Sequence, residues 1–261
     1  MKNILVPIDF SEYSKTASAI AEKIAKVTGA EIHYLHTNES KNEHEKLHEK
    51  LNSFAPQSKE IKSKAFITDG VPFDDIINHS EEFESDLIII CSSGMESYHS
   101  SYATTNVLKI TRLANCPVLI IPPNIKEINL DKILFVNDFT YEIDYKEQVE
   151  RVFQTLVELT KDFKPEINLL YVKQNGIPEE KLEKCMIDFA ESFDGMEIGS
   201  NIKESESVED GAIGFAKETG ADAICMIGHG SGNYFTELRV SVSEKVIEKA
   251  DVPVILIKVT N

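Results

Sequence analysis

The chain is written twice, and that duplication restricts its possible folds more than any single motif does. "NILVPIDFSE" from residue 3 returns as "KILFVNDFTY" from 132, and "AEIHYLHT" from 30 as "PEINLLYV" from 165. "SDLIIICSSG" from 85 returns as "ADAICMIGHG" from 221, and "ANCPVLII" from 114 as "ADVPVILI" from 250. The landmarks keep their order, so each half of the chain is expected to fold as one copy of a common unit. The offset grows from 129 at the first landmark to 136 at the last, which gives the second copy seven extra residues, spread through its first two helical segments. At 261 residues, two cores of ordinary domain size fit. We place the domains at 1–124 and 131–261, with the linker "PPNIKEINLD" at 122–131, where Pro-Pro stops the last strand of the first copy.

Within each copy, short continuous apolar runs alternate with longer amphipathic stretches. That is the pattern of βα units building a parallel sheet covered by helices on both faces. The first copy is expected to hold strands near 3–8, 30–36, 62–68, 86–91 and 117–122, with helices near 12–28, 40–54, 72–84 and 103–114. Strands of the second copy are expected near 132–137, 165–172, 197–203, 222–227 and 253–258; the third of these, in "MEIGSNIKESES", has the weakest pattern. Ser11 and Thr140 stand where helix N-caps belong, and Pro117 and Pro253 open the last strands, where a missing N–H is tolerated.

A net charge of −17 opposes binding to a polyanion, and the basic clusters that make phosphate contacts are missing, so nucleic acid and anionic membrane are not expected partners. No apolar run approaches the roughly 18 residues of a membrane span. The opening "MKNILVPIDF" enters a strand directly, so a cytoplasmic location is expected. Cys91, Cys116, Cys185 and Cys225 have no CxxC spacing and read as small buried hydrophobes, not as a zinc or disulfide framework.

The segments "ILVPIDFSE", "DLIII" with its Gly-containing loop and "ANCPVLII", with their second copies "ILFVNDFT", "DAICMIGHG" and "ADVPVILI", resemble the universal stress protein family in a tandem two-domain form. The resemblance covers nearly the whole chain. It implies a flavodoxin-like or Rossmann-like α/β domain in each half, a five-stranded parallel sheet with helices on both faces. It also implies pairing of the two domains through their last strands as a pseudo-dimer, a role in stress tolerance, and in some members an ATP site. The pairing has a separate physical support, because "PVLIIP" and "PVILIK" would otherwise be apolar edges open to association. A homodimer is a further possibility.

Nucleotide-binding members of the family have a Gly at the end of the fourth strand, two residues, another Gly, nine residues, then Gly-Ser or Gly-Thr at the start of the fourth helix. Glycines let backbone N–H groups approach phosphates, and a hydroxyl at a helix N-terminus holds the last one. In this chain the first copy reads Cys91, two residues, Gly94, nine residues, Thr104-Thr105; the second reads Ile227, Gly228-His229, Gly230, nine residues, Val240-Ser241. Spacing survives in both, but the glycine set does not. Each replacement puts side-chain bulk where backbone would meet a phosphate. Asp9 and Asp138 keep the acidic residue that the family uses near the adenosine, and each is equally readable as a turn or cap residue after a strand. The candidate nucleotide contacts are therefore Asp9, Gly94, Thr104 and Thr105 in the first copy and Asp138, Gly230 and Ser241 in the second. Thr104 can still meet a phosphate and Val240 cannot, which makes the first copy the better pocket.

Bland readings cover the remaining features. His99 and His229 are read as solvated loop residues, and His44 and His48, at i,i+4 in "KNEHEKLHEK", as part of a charged outer face. Gly70-Val71-Pro72 is read as a turn into a helix. There is no nucleophile elbow, no Walker loop with its Lys and no paired-His metal signature, so catalysis is not expected. The leading expectation is a non-enzymatic stress-response binding module with degraded nucleotide loops and no cofactor. The alternative is a sensor whose first half binds ATP or AMP.

Overall fold

A computed structural model describes residues 1–38, 44–56, 58–92, 102–140, 143–174, 178–193, 195–228 and 241–259. The chain divides into two compact units, Met1–Ile128 and Asn129–Asn261. The first runs β1 (Asn3–Pro7), α1 (Glu12–Thr28), β2 (Glu31–Thr37), α2 (His44–Asn52), β3 (Ser63–Thr68), α3 (Pro72–Glu82), β4 (Leu87–Cys91), α4 (Tyr102–Leu113) and β5 (Val118–Ile121). The second runs β6 (Lys132–Val136), α5 (Ile143–Thr160), β7 (Glu166–Lys173), α6 (Glu179–Ala190), β8 (Ile198–Glu204), α7 (Val208–Thr219), β9 (Ala223–Gly228), α8 (Val242–Lys249) and β10 (Val254–Lys258). The weakly patterned strand of the second copy forms, as β8.

Within each unit the strands pair in parallel. Within the first unit the order is β3-β2-β1-β4-β5, and within the second it is β8-β7-β6-β9-β10. This is the Rossmann-type order, which reverses direction between β1 and β4, and between β6 and β9. At that reversal the connections leave on opposite faces and a crevice opens at the carboxyl ends of the strands. Equivalent registers confirm the duplication residue by residue: Ile4↔Leu87 and Leu5↔Ile88 in the first unit match Ile133↔Ala223 and Leu134↔Ile224 in the second.

Strands buried on both faces need continuous apolar runs, and Ile4, Leu5 and Val6 are wholly buried, as are Ile88 and Ile89. Each such side chain contributes about 1.5–3 kcal/mol by leaving water, which is why the sheet and not helix propensity organises each unit. The second unit fills its core with aromatics: Phe135, Phe153 and Phe189 pack at 5.1–6.3 Å between ring centroids, and Phe193 lies 4.6 Å from Phe153.

Local chemistry sets the helix ends. The Ser11 hydroxyl accepts from the Ser14 N–H and caps α1, which ends at Gly29 in the left-handed region. Ser207 caps α7 by accepting from the Asp210 N–H, and Gly220 ends it the same way. Thr140 precedes two residues outside the described set, so its expected cap cannot be placed. Among the described residues, no helix is long and apolar enough to cross a membrane.

Candidate functional site

In the first unit the candidate site lies at the carboxyl ends of β1 and β4. After β1 the chain leaves the sheet through Ile8, whose N–H donates to the Leu35 carbonyl at 2.8 Å. Asp9 is exposed, and its Oδ1 accepts from the Ser11 N–H at 2.9 Å and from the Ser11 hydroxyl at 2.6 Å. The carboxylate thus ties off the turn that launches α1. The second unit repeats this atom for atom, with Asp138 Oδ1 accepting from the Thr140 N–H at 2.8 Å and its hydroxyl at 2.6 Å.

Between these two residues and their helices stands a phenylalanine used differently in each copy. Phe139 is buried in the core of its unit, 5.3 Å from the Phe189 ring. Phe10 takes φ +65°, a left-handed conformation disfavoured for a side chain of this size. Its ring packs at 4.4 Å from His36 and 5.9 Å from Phe54, with Lys50 Nζ 4.0 Å above it. His36 Nδ1 lies 2.7 Å from the Ile8 carbonyl, which can only accept. Nδ1 therefore donates to that carbonyl. An aromatic face, a cation and an imidazole meet at Phe10, next in sequence to Asp9. The sequence reading missed this group, because Phe10, His36, Lys50 and Phe54 follow no recognisable spacing.

At the end of β4, burial pushes the Cys91 thiol up to about 12, against the opposing pull of Lys126. At neutral pH Cys91 is thus held as the thiol and not the thiolate. Lys126 also helps lower the Glu12 carboxyl, after the larger effect of its hydrogen bond to Lys15. Ser92 closes the strand by donating its N–H to the Ile121 carbonyl at 2.9 Å. Gly94 and His99 lie outside the described residues, as do Gly230, His229 and Val240. Thr104 and Thr105 belong to the α4 backbone, and their side chains are outside the described set.

In the second unit, Ile227 is buried within β9. A Cβ on Gly228 would approach Leu256 Cδ2 to 3.0 Å, so that glycine serves packing against β10. Ser241 is the N-cap of α8 in a reciprocal capping box: its hydroxyl accepts from the Glu244 N–H at 3.2 Å, and its own N–H donates to Glu244 Oε2 at 3.2 Å. His44 pairs with Asp69 at 3.1 Å. Among the described residues, no group of three His, Cys, Asp or Glu side chains could hold a metal ion.

These observations define a class: duplicated parallel α/β units of Rossmann type, each with its candidate site at the reversal of strand order. The Universal stress protein family model matches residues 1–51 and 177–258, a segment in each unit. The chain belongs to the universal stress protein family. Universal stress protein YxiE of Bacillus subtilis (strain 168) is 27% identical over 144 residues, covering 45% of this chain and 97% of that protein. A universal stress protein from Archaeoglobus fulgidus DSM 4304 superposes with a TM-score of 0.78 at 22% identity, covering 99% of this chain and 98% of the other. A putative universal stress protein from Pseudomonas aeruginosa UCBPP-PA14 gives 0.75 at 17% identity, covering 99% and 93%. At these structural identities the likeness is one of fold.

Proposed function

We propose that the protein is a stress-response binding and interaction module, not an enzyme, whose two nucleotide loops no longer hold a nucleotide tightly. The observation that carries this reading is the internal engagement of the groups a nucleotide would need. Ser241 spends its hydroxyl on the α8 cap, while Asp9 and Asp138 each commit an oxygen to a turn. Half-buried Cys91 and buried Ile227 stand where glycines would open the backbone. On this reading residues 1–124 and 131–261 are two universal stress protein domains in a cytoplasmic chain. They pair through β5 and β10, each an end strand of its own unit's sheet and apolar over most of its length. With 44 acidic against 27 basic residues, the partners of such a module are proteins and not nucleic acid or membrane.

A second reading is favoured by the group that His36 and Lys50 form at Phe10, next in sequence to Asp9: an ATP or AMP sensor using the first unit. Asp9, Gly94, Thr104 and Thr105 would then contact the nucleotide, while Asp138, Gly230 and Ser241 would form the weaker counterpart. Calorimetric titration of magnesium-ATP into the intact protein, beside a Gly94→Val variant, separates the two. No heat at millimolar ATP supports the module. Micromolar binding that the variant loses establishes the sensor and overturns the module.

A further inference from the structure

A buried hydrogen-bonded chain in the first unit takes no part in the candidate site. His33 of β2 and His79 of α3 are 2% and 5% exposed, and His33 Nδ1 lies 3.1 Å from His79 Nε2. The other nitrogen of His33 lies 3.3 Å from Glu31 Oε2, which also accepts from Lys64 Nζ of β3 at 2.8 Å. Phe66 and Phe83 wall the pair, with ring centroids 4.3–5.2 Å from the imidazoles. Beside them β1 presents Leu5, opposite His33 in register. Asp75, also on α3, is bonded to Thr68 Oγ1 at 2.6 Å. Among the described residues, the charged groups facing the pair are Glu31 and Lys64.

The proton positions follow from the partners. Lys64 holds Glu31 below the ordinary carboxylate range, so Glu31 is an acceptor and His33 Nε2 must donate to it. His33 Nδ1 is then an acceptor, and His79 donates its Nε2–H to it. One further proton is tolerated: His33, protonated on both nitrogens, can donate to Glu31 on one side and to His79 on the other. A second turns the 3.1 Å contact into two N–H groups and two cations facing each other among phenylalanines, and the bond breaks.

The second unit lacks the device. Asn168 stands where His33 does and donates to Glu166, the counterpart of Glu31, at 2.8 Å. Phe215 of α7 occupies the position of His79. The second copy has the polar pair on the strand and neither titrating ring.

We propose that the Glu31–His33–His79 chain is an acid-responsive latch that seats α3 against β2 and β3 at neutral pH and releases it on acidification. The consequence reaches the candidate site, because α3 leads directly into β4. Burial lowers both imidazoles, His79 to about 4. An opened α3 whose His79 titrates near its ordinary 6.5 would gain about twentyfold in population between pH 7 and pH 5.

The test is native-state hydrogen exchange of the intact protein at pH 7 and pH 5, corrected for intrinsic rates, with α7 as the internal reference. The expected result is a roughly twentyfold fall in protection of α3, with α7 unchanged. His33→Asn with His79→Phe transplants the second unit's pair into the first and should abolish the response. Equal loss of protection in α3 and α7, no loss in α3, or an undiminished response in the double variant would overturn the latch. If the double variant does not fold, the comparison of the two helices within the natural chain decides.

Discussion

Ser241 can be a structural cap or a phosphate ligand, and one pair of substitutions tells them apart. Ser241→Ala removes the acceptor that satisfies the Glu244 N–H at 3.2 Å and leaves one side of the capping box without its partner. Loss of an N-cap costs about 0.5–2 kcal/mol, typically about 1. Because α8 has eight residues, that loss falls on a helix of little more than two turns. A cost of about 1 kcal/mol corresponds to a roughly fivefold rise in the open population of α8. Ser241→Asp is the complement: aspartate caps as well as serine and adds a favourable charge at the helix N-terminus, yet would repel a phosphate. Hydrogen exchange of the α8 amides is the appropriate assay, since two units need not unfold in one transition. We expect roughly fivefold lower protection in the alanine variant and natural protection in the aspartate variant. Unchanged protection in Ser241→Ala would refute the reasoning, because the hydroxyl would then be free for something other than its cap.

Two further outcomes follow from the same structure. At Phe10, with φ +65°, glycine should be better tolerated than alanine by about 1 kcal/mol, reversing the usual order, because both lose the ring but alanine keeps the left-handed strain; urea denaturation of the two variants measures the difference, and alanine proving the more stable would contradict it. Burial raises the Tyr34 hydroxyl to about 12 in the folded state, so the unfolded chain releases this proton first, and stability present below pH 10 declines as pH rises toward 12, by up to about 3 kcal/mol. Tyr34→Phe should flatten that alkaline decline while giving up the hydrogen bond with Ser18, worth about 1 kcal/mol at neutral pH; an unchanged alkaline slope would count against the assignment.

The fold was readable because its signals are local and repeated. "ILVPI" and "DLIII" are continuous apolar runs that only a strand covered on both faces can bury, and each has a second copy that agrees with it. Ser11 could be recognised as a cap because capping depends on residues three apart. Even "MEIGSNIKESES" formed its strand, β8, because β7 supplies a partner ladder running from Ile167↔Ile198 to Lys173↔Glu204. The candidate site was less legible. Asp9 and Asp138 could be named as residues of interest, but their role depends on where their oxygens point, and in both copies one oxygen closes a turn.

By itself, then, the sequence determined that two parallel α/β units follow one another, where their strands run and which loops to inspect, since periodicity and duplication are properties of neighbouring residues. Tertiary structure alone decided that Phe10 meets His36 and Lys50, and that His33 meets His79 across 46 residues of chain. Those contacts arise when β2, α2 and α3 are brought together by burial of apolar surface, which is non-directional. It selects the packing as a whole and carries polar side chains into partnerships that no local spacing encodes.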